Sequence, residues 1–345
     1  MFGTEQTIRS VVRELKRFSP SVHVPGPHAQ ALFMQALESE PKLLYYISGY
    51  RFSGTLSGGE FCVTYCNTET PPSEILTAET ADEVEDLLHA AVGKIRMEQA
   101  VIVPAHLNTD RVYNDFMMMY SAFYSNLVQL ECRTQSGLSE RFKVVVFLFR
   151  YRIGRVKLNM MENAVRQKVA ALAPVLFTAD MKPETKAYIA HNFLARTVEY
   201  WKKEEPNQLE RSYMQSAYGA LINGRCVCQG YAEAYKRLLG SQGIFCEVIC
   251  GKIRGSAEHH AWNIVSPDGR SKYHVDVTWD SGMGAAKSDE YFGLTDAQLA
   301  KDRIWTRRTD MVCTGGKNIL QEAKLQIARN RAAYLAKGVD RRYLS

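Results

Sequence analysis

The sequence predicts an α+β protein in which a helix entered by a cysteine is followed by an antiparallel pair of strands, preceded by two small α+β repeat units. Three observations predict it. Stretches with apolar residues at i, i+3, i+4 and i+7 alternate along the chain with stretches of period two. One strand-then-helix pattern occurs twice, first from Phe61 and again from Phe142. In the last third, a helix entered by Cys228 is followed by two alternating strands joined at Ser266-Pro267-Asp268-Gly269-Arg270. With 345 residues, 46% hydrophobic and 23% charged, the chain has apolar material for two or three domains of roughly 100–150 residues.

The first element is a helix over Thr4 to Phe18, with Ile8, Val11, Val12 and Leu15 on one face; Pro20, Pro25, Gly26 and Pro27 end it. Residues 1–27 are thus a helix and linker. The repeat follows. Phe61, Val63 and Tyr65 map onto Phe142, Val144 and Val146 as a strand, and the same offset maps Val84, Leu88, Ala91 and Ile95 onto Val165, Val169, Leu172 and Leu176 as a helix. A tyrosine pair, Tyr45 with Tyr46 and Tyr120 with Tyr124, precedes each strand. This predicts one α+β unit over 28–110 and a second over 111–177. A third domain, 178–315, opens with a helix started by Pro183, with Ile189, Phe193, Leu194 and Val198 on one face and His191 as a surface or packing residue. The segment 316–345 reads as an amphipathic helix through Leu320, Ala323, Ile327, Tyr334 and Leu335, outside the third domain.

The chemistry is concentrated in the third domain. Tyr231, Ala234, Tyr235, Leu238 and Leu239 have helical spacing up to Gly240 and Gly243, so Cys228 enters that helix. A thiol there meets unpaired backbone N–H groups and the positive end of the helix dipole, which favour thiolate. The same amides, that of Cys228 among them, can hold an oxyanion, with Tyr218 or Gln215 as a second donor from upstream. Cys226 lies outside the first turn. Downstream, His260, Trp262 and Ile264 share one face of a strand, and His274, Asp276 and Thr278 one face of the next. A three-residue loop Pro267–Gly269, with Gly269 left-handed, sets Ser266 opposite Arg270 and hence His260 opposite Asp276. Cβ atoms so paired lie about 4.5–5.5 Å apart.

Three roles follow: Cys228 as nucleophile, His260 as proton acceptor and donor, and Asp276 as the group that orients the imidazole. His259 faces away from Asp276. His274 shares its face and is the stronger rival base. Trp262 and Trp279 are candidate walls of the cleft, with core packing as the alternative.

Cys228-Gln-Gly-Tyr-Ala-Glu-Ala-Tyr235, His260-Ala-Trp-Asn263 and Tyr273-His-Val-Asp-Val-Thr-Trp-Asp280, in this order and spacing, resemble the transglutaminase-like superfamily, in particular its bacterial members. The resemblance runs from about Thr178 through Tyr291-Phe-Gly-Leu-Thr-Asp-Ala-Gln298. It implies a papain-like cysteine fold, a helix carrying the thiol packed on an antiparallel sheet, with Cys228, His260 and Asp276 at the triad positions. It also implies acyl transfer or hydrolysis at protein or peptide amides through a thioester, as in cross-linkers, proteases, deamidases and amidases. The fold leaves the acceptor open. The alternative is a non-catalytic interaction protein that offers the cleft or the repeats to a partner.

Other classes are disfavoured. The eight cysteines are scattered and read as thiols. A zinc site from Cys226, Cys228, Cys246, Cys250 and His259 lacks the C-x2-C spacing. Asp276, Asp280, Asp289 and Glu290 are too dispersed for a calcium loop, so no metal and no cofactor are expected. The longest apolar run, near Val169 to Phe177, is broken by Pro174 and falls short of the ~18–20 residues of a membrane span. Residues 1–18 lack a secretory core, and a cytoplasmic location is expected. Of the net charge of +6, the segment 316–345 carries +5, seven Lys and Arg against two Asp and Glu. That predicts a basic tail able to meet an acidic partner surface, and no nucleic-acid-binding body.

Overall fold

The computed structural model describes residues 2–120, 126–202, 205–282, 288–306 and 309–345, and in it the predicted helices and strands are grouped differently from the expected domains. The first helix, α1 (Phe2–Lys16), buries Val11 and Leu15 and leads to β1 (Ser21–Pro25), α2 (Ala29–Ser39) and the hairpin β2 (Ile47–Thr55) and β3 (Gly58–Tyr65). These strands form an antiparallel sheet in the order β1-β3-β2, and Phe61 of β3 stacks on Phe33 of α2 at 4.0 Å. Next come β4 (Ile75–Thr77), α3 (Ala81–Gly93), β5 (Glu98–Pro104), α4 (Thr109–Tyr120), β6 (Leu127–Gln135) and β7 (Phe142–Tyr151). Their sheet has the order β4-β5-β7-β6. Tyr45 and Tyr46 are buried in the core of this part; Tyr124 and the side chain of Tyr120 lie outside the described residues.

The chain divides into one unit of residues 1–118 with 129–150 and another of 119–128 with 151–345. The two predicted repeats are therefore not separate bodies. The offset that carries Phe61 onto Phe142 does carry strand β3 onto strand β7 and helix α3 onto the later part of α5 (Arg155–Leu176). Their surroundings differ, however. β5, from the first predicted repeat, pairs with β7, from the second, Ala100 opposite Val146. α5 instead buries Val165, Val169 and Leu176 in the core of the second unit. Local periodicity recurs because strands and helices of either unit need the same patterning.

The second unit continues with α6 (Pro183–Thr197), β8 (Glu199–Tyr200), α7 (Gln208–Met214), α8 (Ala217–Leu221), β9 (Arg225–Cys226) and α9 (Cys228–Gly240). The sheet follows: β10 (Phe245–Ile253), β11 (His259–Ser266), β12 (Tyr273–Val275), α10 (Val277–Asp280), β13 (Phe292–Leu294), α11 (Asp296–Leu299) and β14 (Arg303–Trp305). Its five strands are antiparallel in the order β13-β12-β11-β10-β14. This is the predicted α+β core: Ala232 of α9 packs against Val248 of β10 and Ala261 of β11. The Asn263 amide ties the same helix to the sheet by donating to the Ala232 carbonyl at 3.0 Å. On its other side α9 meets α6, where Tyr235 Oη donates to the Ala187 carbonyl at 3.1 Å.

The carboxy-terminal helix α12 (Ile319–Ala336) belongs to this unit rather than lying outside it. Ile319, Ala323, Ile327 and Tyr334 enter the same core as α6 and α9. Much of the tail's positive charge is met at home. Lys317 pairs with Glu184, Lys324 with Asp289 at 2.5 Å, Lys337 with Asp180 at 2.8 Å and Arg342 with Asp340 at 2.7 Å. The acidic surface that the tail meets is its own domain. Among the described residues no helix is long and apolar enough to cross a membrane.

Candidate active site

The approach to Cys228 is fixed by backbone pairing. β8 and β9 run parallel, Tyr200 beside Cys226, with the Trp201 N–H donating to the Cys226 carbonyl at 2.8 Å. The Val227 N–H donates to the Met214 carbonyl at 2.8 Å, which brings the end of α7 against the start of α9. Val227 is the extended N-cap and Cys228 the first helical residue, as predicted. Cys226 points under the helix, where a Cβ on Gly230 would lie 2.5 Å from its own, so the first turn requires glycine at 230. Cys226 is buried; Cys228 is half-buried.

The other thiols of this unit are inert by burial. Burial pushes Cys226, Cys246, Cys250 and Cys313 up, Cys250 to about 12. Thiols that stay protonated are poor nucleophiles and poor metal ligands. The zinc set considered from the sequence does not assemble. Among the described residues the one group of metal-ligand type within reach is His274, Asp296 and Cys313. There the Trp262 indole N–H donates to His274 Nδ1 at 3.0 Å, so a neutral His274 carries its proton on Nε2, facing Asp296 Oδ1 at 2.8 Å. With both ring nitrogens so used, His274 has no lone pair to give a cation or a substrate. That removes it as a rival base.

His260 and Asp276 meet, though not by the predicted register. β11 and β12 pair Val265 with Tyr273 and Asn263 with Val275, two residues out of step with the expected alignment. The loop spans residues 267–272 instead of 267–269. Gly269 is left-handed as expected, φ 71°. Asp268 Oδ1 then accepts the N–H groups of Arg270 and Ser271, at 2.9 and 2.7 Å, and keeps both out of the ladder. A slip of two preserves the face of every side chain. Asp276 leaves the strand as the N-cap of α10, its Oδ1 accepting the Trp279 N–H at 3.2 Å.

The resulting geometry is tight. His260 Nε2 lies 2.7 Å from Asp276 Oδ2, with His260 6% exposed and Asp276 wholly buried. The Cys228 sulfur neighbours the ring and favours its charged form. Burial disfavours the imidazolium, but the Asp276 charge, the hydrogen bond to it and the Cys228 sulfur outweigh burial and raise His260 to about 10. Burial raises Asp276, and His260 with Arg303 outweighs it, holding the carboxylate below its ordinary value. His259 is exposed, as its alternation requires.

Trp262 is not a cleft wall. It is 1% exposed, stacked beneath His260 at 6.1 Å and set edge-on to Trp305 at 5.9 Å. Trp279 is half-buried, edge-on to His260 at 6.3 Å. Gln215, half-buried, follows Met214 beside the start of α9, whereas the Tyr218 ring stacks on Tyr213 at 5.1 Å.

Sequence reading missed four participants. Arg303, wholly buried, places Nη2 3.0 Å from Asp276 Oδ2. Tyr200 is raised to about 12, by burial first and then by the neighbouring Cys228. His191, expected as a surface or packing residue, is wholly buried with Nε2 2.9 Å from Asp280 Oδ2. Asp280 in turn accepts the Ser288 hydroxyl at 2.7 Å and the Tyr291 N–H at 3.1 Å, fixing the end of α10, which Asp276 begins. The Tyr200 signal was its place before β9; Arg303 and His191 stand far along the chain from Asp276 and Asp280 and carry no local motif.

Gly251 couples these parts, lying opposite His260 on one side and Trp305 on the other. A Cβ there would sit 2.4 Å from the Ile304 carbonyl oxygen and 2.6 Å from the Trp262 ring. Gly251→Ala is expected to push β14 from β10 and lower stability by about 1–3 kcal/mol, read from urea unfolding.

No protein-family model matches the chain, and no curated protein matches it. Three solved structures show a distant likeness. A TGase is 9% identical over 63% of this chain and 60% of its own, with a TM-score of 0.29. A candidate protease from Parabacteroides distasonis is 10% identical over 51% and 39%, TM-score 0.26. A candidate cysteine protease from Cytophaga hutchinsonii is 11% identical over 52% and 64%, TM-score 0.27. The chain thus spans less than two thirds of each. Likenesses this distant decide nothing about chemistry, which has to be read from the residues of the site.

Proposed function

We propose that the second unit is a cysteine-dependent acyl-transfer or hydrolytic enzyme acting on protein or peptide amides, with Cys228, His260 and Asp276 in the roles of nucleophile, acid–base and orienting group. The observation that carries this reading is one imidazole, 2.7 Å from a buried carboxylate and raised in part by the neighbouring thiol at a helix entry. The resemblance of the three sequence motifs to the transglutaminase-like superfamily supports it.

In the proposed cycle the Cys228 thiolate attacks the amide carbonyl, forming a C–S bond and an oxyanion. The N–H of Cys228 and a donor from Gln215, Tyr218 or Tyr200 face that oxygen. His260 imidazolium gives its proton to the leaving nitrogen, the C–N bond breaks, and a thioester remains on Cys228. Water or an amine, deprotonated by His260, then attacks the thioester and restores the thiolate–imidazolium pair. Asp276 holds the Nε2–H throughout, leaving Nδ1 for the sulfur.

The test is labelling of the full chain with iodoacetamide near neutral pH, with a peptide library presented with and without an amine donor. Stoichiometric modification of Cys228, well ahead of the other thiols, and turnover abolished in Cys228→Ala are the expected results. Modification no faster than that of the exposed Cys62 would reject the proposal. Release of ammonia or a peptide fragment, against incorporation of the amine, separates hydrolysis from cross-linking.

A further inference from the structure

We propose that Arg303 is a positioning residue for the His260–Asp276 pair: its guanidinium fixes Asp276 Oδ2 and keeps that carboxylate ionised while the imidazole gives up and regains its proton. The inference rests on the roles assigned above to Cys228, His260 and Asp276.

Both cations converge on one oxygen. His260 Nε2 lies 2.7 Å and Arg303 Nη2 3.0 Å from Asp276 Oδ2, while Oδ1 is occupied by the Trp279 N–H at 3.2 Å. Arg303 and Asp276 are both wholly buried. The arginine is itself held on several sides. Its guanidinium carbon lies 4.4 Å from the centre of the Trp279 ring and 5.1 Å from that of Tyr291, and Nη1 lies 3.2 Å from Asp302 Oδ1. The Tyr291 hydroxyl donates to the other Asp302 oxygen and so fixes that carboxylate too.

Such an arrangement answers a problem of acid–base work in a dry site. When His260 passes its proton to a leaving nitrogen, a buried carboxylate paired with histidine alone is left without a counter-charge. It would then hold the proton back, and the imidazolium would be a weak acid. A guanidinium does not deprotonate in proteins and meets a carboxylate with a rigid planar set of donors. Arg303 therefore supplies a charge that stays when the histidine's leaves. It also shares the carboxylate's field, so the imidazolium is less strongly held than by Asp276 alone. Among the described residues, the other titratable groups around the pair include Cys228 at the start of α9, Tyr200 of β8 and Tyr291 before β13, with Asp302 beside Arg303 and Glu258 near Tyr200.

The experiment is the pH dependence of Cys228 alkylation by iodoacetate in the wild-type chain, Arg303→Gln and Arg303→Lys. Iodoacetate is an anion, and its rate falls as the neighbouring imidazolium loses its proton. The basic limb is expected to move up by about one unit or more in Arg303→Gln, a tenfold change in the proton equilibrium. In Arg303→Lys it should stay within about 0.3 unit, with the rate at pH 7 lowered about tenfold because an ammonium is a point charge without the planar donor set. A basic limb in Arg303→Gln superimposable on wild type would overturn the proposal. If Arg303→Gln does not fold, the lysine variant decides, and an unchanged rate or a limb displaced by a unit overturns it. A wild-type chain with no fast alkylation and no basic limb rejects the triad reading itself, a different outcome from either.

Discussion

His260→Ala is expected to lower turnover by on the order of 10^4-fold or more while leaving the chain folded. The loss is large because, in the proposed cycle, the ring carries two functions that neither His259 nor His274 can assume. It accepts the proton that makes Cys228 a thiolate, and it returns a proton to the leaving nitrogen. His259 is exposed and faces away, and His274 is committed to Trp262 and Asp296. The fold survives because Asp276 keeps a cationic partner: Arg303 Nη2 remains 3.0 Å from Oδ2 after the imidazole is gone. Iodoacetamide trapping of Cys228 at pH 7 should slow in parallel, by about 10^2-fold or more. Far-ultraviolet circular dichroism and the urea midpoint check that the variant is folded. A variant that traps iodoacetamide at the wild-type rate would show that the thiolate is formed without His260.

Much of this site is legible in the sequence, and the portion that is not has identifiable causes. The entry of α9 at Cys228 follows from glycine punctuation and helical spacing, both local properties. That His260 and Asp276 face one another follows from strand alternation, and alternation survives the error in the loop. The loop length itself turned on Asp268, whose side chain captures two successive backbone N–H groups and extends the turn to residue 272. Position in sequence shows that an aspartate favours a turn, but not how many amides it takes. Arg303 lay beyond reach for a different reason. It sits on a short edge strand with no periodicity of its own, well past Asp276 in the chain, and only the pairing of β14 with β10 brings it in. The grouping expected over 28–177 failed because a repeated strand-and-helix pattern says nothing about which sheet a strand joins. The tail's charge likewise counted seven cations without showing Glu184, Asp289 and Asp180 placed to meet three of them.

Asp276→Ala is expected to carry the largest loss of stability, about 3–5 kcal/mol, because it leaves Arg303 buried without its inner partner. Among the described residues, what remains around the guanidinium is Asp302, 39% exposed and so partly screened, together with the faces of Trp279 and Tyr291. The α10 cap is lost as well, since Oδ1 no longer accepts the Trp279 N–H. Asp276→Asn keeps that cap but removes the charge, and its cost should be smaller. The pH dependence separates the charge from the packing. The Asp276 carboxyl is held below its ordinary value in the fold, so its contribution is present above about pH 4 and lost as pH falls through the lowered value. His260 is raised from 6.5 to about 10, so its contribution is complete below pH 6.5 and fades as pH rises through about 10. The pair therefore stabilises the wild-type chain most between about pH 4 and 6.5 and progressively less toward pH 10. In Asp276→Ala the burial that disfavours the imidazolium is no longer opposed by the carboxylate, and the decline between pH 6.5 and 10 should disappear. Urea midpoints at pH 5, 7 and 9 for both chains measure this directly. A variant within about 1 kcal/mol of wild type at pH 6 would mean that β14 is held by packing around Trp305 and Trp262 and not by the bridge from Arg303 to Asp276.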